Sequence, residues 1–112
     1  MTADLRRLSD TELVAGCRAG REEAWREFVE RFSAYVHAIV TRGYRLRGPD
    51  GEDVFQEVFA RVYERLDRLD DDTAVRAWVA QLTRRLCVDR LRAASFADVR
   101  NAFNQSHRSP CT

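Results

Sequence analysis

Gly51-Glu-Asp-Val-Phe-Gln-Glu-Val-Phe-Ala-Arg-Val-Tyr-Glu-Arg-Leu66, then after a short link Arg76-Ala-Trp-Val-Ala-Gln-Leu-Thr-Arg-Arg-Leu-Cys-Val-Asp-Arg-Leu-Arg92, is the stretch that decides the fold. In its first half Val54, Phe55, Val58, Phe59, Val62, Leu66 and Leu69 recur at three- and four-residue steps, the spacing of one helical face. In its second half Val75, Trp78, Val79, Leu82 and Leu86 do the same. Neither half alternates with a period of two, so the pattern excludes strands here.

The same reading extends outward. Upstream, Trp25, Phe28, Val29, Phe32, Val36, Ile39 and Val40 predict a long amphipathic helix over 21–42. The glycine- and proline-containing stretch Gly43–Gly51 must break it, with Asp50 as the expected cap of the next helix. Further back, Ser9-Asp-Thr-Glu12 has the form of a capping box, and Gly20 is a favourable left-handed stop. Between the two decisive segments Asp70-Asp-Asp-Thr73 forms a polar link able to cap the last helix. From Ala97 the periodicity fades, which predicts a poorly ordered tail or the start of a linker over 96–112. The expectation is all-α: one compact bundle of about four helices occupying residues 1–95.

Composition agrees. A chain of 112 residues suits one domain, and 45% hydrophobic with 33% charged residues describes a folding chain with a heavily charged surface. The net charge of +1 conceals a segregation. Asp50 to Asp72 holds nine acidic residues against three arginines, whereas Arg76, Arg84, Arg85, Arg90 and Arg92 face Asp89 alone. Neighbouring segments therefore offer opposite fields to different partners.

Other chemistries find little support. Cys17, Cys87 and Cys111 are odd in number and widely spaced, and with His37 and His107 they form no ligand set, so reduced thiols, no metal and no cofactor are expected. No apolar run is long enough to span a membrane, and the opening residues lack the apolar core of a signal peptide, which predicts a cytoplasmic chain with no membrane insertion. Glu52 and Asp53 are adjacent carboxylates, but nothing points to the concave site that acid–base catalysis needs, so no catalytic residue and no enzymatic activity are assigned. Trp25, Trp78 and His37 fall on or near apolar stripes and read as core or boundary residues.

At about 100° per residue, Gln81, Arg84, Arg85, Val88 and Arg92 gather opposite the apolar stripe of the last helix. Such a stripe can neutralise phosphates and present Arg or Gln to base edges, or it can be an ordinary solvated face. On the preceding helix Asp53, Gln56, Glu57 and Tyr63 lie off or beside the apolar stripe, in a field that repels DNA and attracts a basic protein helix, or simply faces water.

Taken in series, the two quoted segments closely resemble region 2 of the sigma-70 family, specifically its extracytoplasmic-function group. Leu13-Val-Ala-Gly-Cys-Arg-Ala-Gly-Arg-Glu-Glu-Ala-Trp25 is similar to that group's opening helix, so the likeness extends over roughly residues 9 to 94. The resemblance implies a promoter-opening, polymerase-docking domain. Asp53, Gln56 and Glu57, with Phe59 and Tyr63 as neighbours, would meet the basic coiled coil of the largest RNA polymerase core subunit. Arg76, Arg84, Arg85 and Arg92 would hold the backbone of the promoter's minus-ten element, read as non-template single strand. Asp71, Asp72 and Thr73 lie where the family places its base-reading loop, and an anti-sigma factor is implied as a further partner. The chain shows no stretch like the family's helix-turn-helix domain, and three consecutive aspartates occupy the link. Two other readings remain: a sigma-like module that binds polymerase or an anti-sigma factor without promoter DNA, and a conventional duplex-binding regulator.

Overall fold

The computed structural model describes residues 4–107, with side chains described through residue 95. Four α-helices, α1 (Asp10–Arg18), α2 (Glu22–Ala38), α3 (Gly48–Arg65) and α4 (Val75–His107), form an all-α bundle with no strand among the described residues.

Local sequence sets the boundaries of α1. The Ser9 hydroxyl accepts from the Glu12 amide at 3.1 Å, and the Glu12 carboxylate accepts from the Ser9 amide at 3.1 Å, so the capping box forms. These bonds hold the Glu12 carboxyl below its ordinary pKa, the Ser9 amide contributing most. At the other end Gly20 adopts φ 79°, and the Gly20 and Arg21 amides donate to the Cys17 and Gly16 carbonyls at 3.0 and 3.2 Å. This pair of bonds closes a Schellman motif and turns the chain into α2.

The predicted second helix is regular only to Ala38, and Ile39–Gly43 widens into a π-helical turn. Its end is closed by the Leu46 amide, which donates to the Val40 carbonyl at 3.0 Å. Leu46 is buried there, and a Cβ on Gly51 would stand 2.9 Å from the Leu46 carbonyl oxygen, so Gly51 permits the close approach. Asp50 does not cap α3 as expected: the helix begins earlier, at Gly48, with Pro49 in the first turn where no amide is needed. The Asp50 carboxylate instead reaches Arg90 of α4 at 2.7 Å.

The core is built largely from valine. Phe28, Phe32, Val36 and Val40 face Val54, Val58, Val62 and Leu66, with Leu13, Val14 and Cys17 of α1 and Val75, Val79 and Cys87 of α4 completing it. Fully burying each Phe or Val contributes roughly 1.5–3 kcal/mol. The aromatic residues of the predicted stripes lie mostly at its margin: Trp25, Phe55, Phe59 and Trp78 are half-buried, and His37 is exposed, edge-on to Phe55 at 6.1 Å between centroids. On α4 the buried arc is rotated from the predicted stripe. Ala80, Thr83 and Cys87 are buried while Leu82 and Leu86 are only half-buried, and Thr83 satisfies its hydroxyl by donating to the Val79 carbonyl at 2.7 Å.

Where the tail was expected to lose structure, α4 continues as helix to His107. The sequence there fades in apolar periodicity yet contains no glycine or proline before Pro110, so nothing stops a helix. The end of the expected tail, residues 108–112, lies outside the described residues, and with it Cys111.

Candidate functional site

Two surfaces are built by α3 and α4. The first is the shallow groove between them, about 600 Å³, lined by Asp53, Gln56, Glu57, Leu86, Asp89 and Arg90 among others. Asp89, the one carboxylate of the basic segment, thus stands on the acidic side of the bundle with Asp53 and Glu57. Arg90 lies among them, donating to Asp50 at 2.7 Å and to Asp53 at 3.0 Å. The hydrogen bond to Asp50, foremost, raises the Arg90 pKa and holds its charge. Glu57 pairs with Arg61 at 2.7 Å one helical turn away, and this bond likewise raises the Arg61 pKa.

Beside this groove runs an aromatic ridge. Phe59 packs on Phe55 at 5.0 Å between centroids, and Tyr63 is 68% exposed while tilted against Trp25 at 5.0 Å. Asp53, Gln56 and Glu57 thus line the groove towards α4, while Phe59 and Tyr63, half-buried and exposed respectively, belong to the aromatic row on the α2 side of α3. An acidic groove flanked by accessible aromatic rings complements a basic helix that carries apolar side chains.

The second surface is the outer arc of α4. Gln81, Arg84, Arg85 and Arg92 are exposed and Val88 is half-buried between them. Among the described residues these three arginines form no ion pair, in contrast to Arg18, Arg31, Arg61, Arg76 and Arg90. Arg76 is set apart from them. It lies 3.3 Å from Asp10 of α1, with its guanidinium 4.8 Å from the Phe32 ring centroid and 5.2 Å from that of Tyr35. That placement anchors the first turn of α4 to α1 and α2.

The link between α3 and α4 is equally organised. Asp71 accepts from the Thr73 hydroxyl at 2.6 Å and the Thr73 amide at 3.0 Å, capping a single 3-10 turn over Asp72–Ala74. The Thr73 hydroxyl, followed by its amide, lowers the Asp71 pKa. Asp72 pairs with Arg18 of α1 at 2.8 Å, and Asp70, just before these two, is exposed. Of the three aspartates Asp72 is thus ion-paired within the chain, which reduces the repulsion a nucleic acid would meet, while Asp71 keeps its charge.

The structure leaves Gln81, Arg84, Arg85 and Arg92 exposed and brings Asp53, Gln56 and Glu57 to one groove, where sequence reasoning did not anticipate Asp89 and Arg90, nor the part of Arg18 at the link. Asp89 could have been found, since its helical angle departs from the arginine stripe. The partners of Arg18 and Arg90 lie 37 to 54 residues away and leave no local signal.

No helix among the described residues is long and apolar enough to cross a membrane. No curated protein matches this chain. The Sigma-70 region 2 family matches residues 28–96, from the middle of α2 through the bundle portion of α4, more than half of the chain. The opening helix, expected to share the likeness, lies outside that match. With both halves of the quoted stretch inside the matched residues, the chain belongs to the sigma-70 family of transcription initiation factors, whose region 2 domain it carries.

Proposed function

We propose that this chain, as a sigma factor of the extracytoplasmic-function group, seats RNA polymerase core on its acidic groove and opens the promoter minus-ten element with the outer arc of α4. The observation that carries the reading is the division of α4 by face. Arg84, Arg85 and Arg92 are exposed on one side, while Asp89 joins the carboxylates of α3 on another. Opposite charges are thereby offered to two partners on separate faces.

In this reading Asp53, Gln56 and Glu57 receive the basic coiled coil of the largest polymerase subunit, and Phe59 and Tyr63 supply the apolar contact. Gln81, Arg84, Arg85, Val88 and Arg92 track the non-template strand. Arg76, tied to Asp10, supports the strand-binding surface more than it touches DNA. The link Asp71-Asp72-Thr73 stands where a flipped base is captured, and that capture together with phosphate neutralisation offsets the cost of unpairing. An anti-sigma factor would act by covering the acidic groove. Residues 1–95 form the working domain, and any enzymatic turnover belongs to the polymerase.

The deciding measurement is a pull-down of polymerase core by wild type and by Glu57→Arg. The substitution reverses charge at an exposed position, so it should abolish or strongly reduce capture while leaving the circular dichroism spectrum unchanged. Undiminished capture would defeat the docking assignment.

A further inference from the structure

The region 2 match begins at Phe28, whereas α1 ends at Arg18, so nothing in that match assigns a role to α1. The structure nevertheless ties α1 to both ends of the α3–α4 link. From the last turn of α1, Arg18 Nη2 lies 2.8 Å from Asp72 and 3.3 Å from the Leu66 carbonyl oxygen, and it also donates to the Leu69 carbonyl. Leu66 and Leu69 bracket the 3-10 turn that follows α3, at the negative end of the helix dipole; the Leu66 carbonyl also accepts from the Leu69 amide at 3.0 Å. One cation satisfies these acceptors and neutralises a link aspartate together.

From the first turn of α1, Asp10 receives Arg76 at 3.3 Å and Arg31 at 3.3 Å. Arg31, with only 15% of its side chain exposed, also donates to the Leu5 and Arg6 carbonyls. The chain from Leu66 to Arg76 is thus pinned at its beginning by one end of α1 and at its finish by the other. In between, Asp71 and Thr73 close their own turn. Leu13, Val14 and Cys17, on the same stripe as Asp10 and next to Arg18, are buried in the core, which makes the helix a fixed base for these ties.

We propose that α1 is the template that shapes the base-reading link, and that Arg18 is the positioning residue for base selection. This rests on the proposed capture of a promoter base by Asp71–Thr73. Arg18 touches no base in this scheme; it acts by fixing the Leu69 carbonyl and the Asp72 carboxylate on either side of Asp70. A planar guanidinium is suited to several acceptors in one place, which an ammonium serves less well.

The test uses the complex of the full chain with polymerase core and a pool of short single-stranded DNA of randomised sequence. Retained strands are sequenced for wild type, Arg18→Ala and Arg18→Lys. Arg18→Ala should keep core binding and total retention while its base preference at one or two adjacent positions falls by about tenfold, with Arg18→Lys in between. Should Arg18→Ala fold poorly, the milder Arg18→Lys, which keeps the charge and the aliphatic stem, carries the comparison. Unchanged preference in a folded variant overturns the assignment, as does a uniform loss of retention with preference intact, the mark of a merely structural residue. A wild-type complex that enriches no sequence sinks the base-capture reading beneath it, and that outcome is visible without any variant.

Discussion

Arg90 of α4 lies 3.0 Å from Asp53 of α3, while the same guanidinium nitrogen reaches Asp50 at 2.7 Å. A carboxylate assigned to polymerase docking is therefore already shared with a cation of its own chain, and a basic partner must compete for it. Removing the competitor should raise the negative potential of the groove.

Arg90→Ala is thus expected to bind polymerase core faster, by a few fold at low salt and less as salt rises, because steering by exposed charge is screened. The same change removes a tie between α3 and α4, so the melting temperature should fall slightly. Stopped-flow association at two salt concentrations reads the first effect and a thermal melt the second. A slower association would show that Arg90 is itself part of the docking surface.

Gly16 tests how closely α1 is fitted. A Cβ at this position would lie 2.9 Å from the Ala24 Cβ, a separation that real Cβ atoms do not tolerate. In an isolated helix Gly→Ala stabilises by about 1 kcal/mol, but here the added methyl must push α1 away from α2. Gly16→Ala should destabilise by about 1–3 kcal/mol, and Ala24→Gly in the same chain should recover part of that loss by returning the space. Urea denaturation of the single and double variants provides the cycle.

The buried thiols supply a pH dependence. Burial pushes Cys17 and Cys87 up from the ordinary 9.0 to about 11. Below pH 9 the thiols are neutral in both folded and unfolded chains, and stability is unaffected by them. As pH rises from 9.0 towards about 11 the unfolded thiols ionise first, so stability falls across that window. Alkylation at pH 8 should also spare both cysteines in the native protein, as mass spectrometry of a Cys111→Ser variant would show.

Asp71 gives the opposite sign at the acid end. Its folded pKa is depressed by the Thr73 hydroxyl and amide, so its contribution is present above the ordinary value of 3.8 and is lost as pH falls through the folded value. The Thr73 amide resonance should therefore titrate with a midpoint below 3.8, and Asp71→Ala should remove that titration while leaving the core resonances in place.

These positions divide by how far their causes reach along the chain. The Ser9–Glu12 box, the Gly20 stop and the apolar stripes were legible because each depends on residues within one or two turns. The orientation of α4 was only partly legible. Leu82 and Leu86 outrank Thr83 and Cys87 in hydrophobicity, yet the smaller pair is buried at the helix crossing. The ties that shape the link were not legible at all. Arg76 meets Asp10 across 66 residues and Arg18 meets Leu69 across 51, distances at which periodicity carries no information. Arg76 shows the consequence: the family resemblance grouped it with the strand-binding arginines, and nothing local announced that its guanidinium would lie against Phe32, Tyr35 and Asp10.

Arg84 and Arg85 separate a strand-binding domain from a module that meets only proteins. Both are exposed, and among the described residues neither is ion-paired, so replacing both with Ala should leave the fold and the capture of polymerase core unchanged. If each guanidinium neutralises one phosphate of a single strand, the double variant loses about 0.7 per charge, or about 1.4, from the magnitude of the slope of log affinity against log salt. Titrating the complex with core polymerase against a fluorescent single-stranded oligonucleotide at several salt concentrations measures that slope directly. A slope equal to wild type would mean that α4 presents these charges to water, and would transfer the function to protein contacts alone.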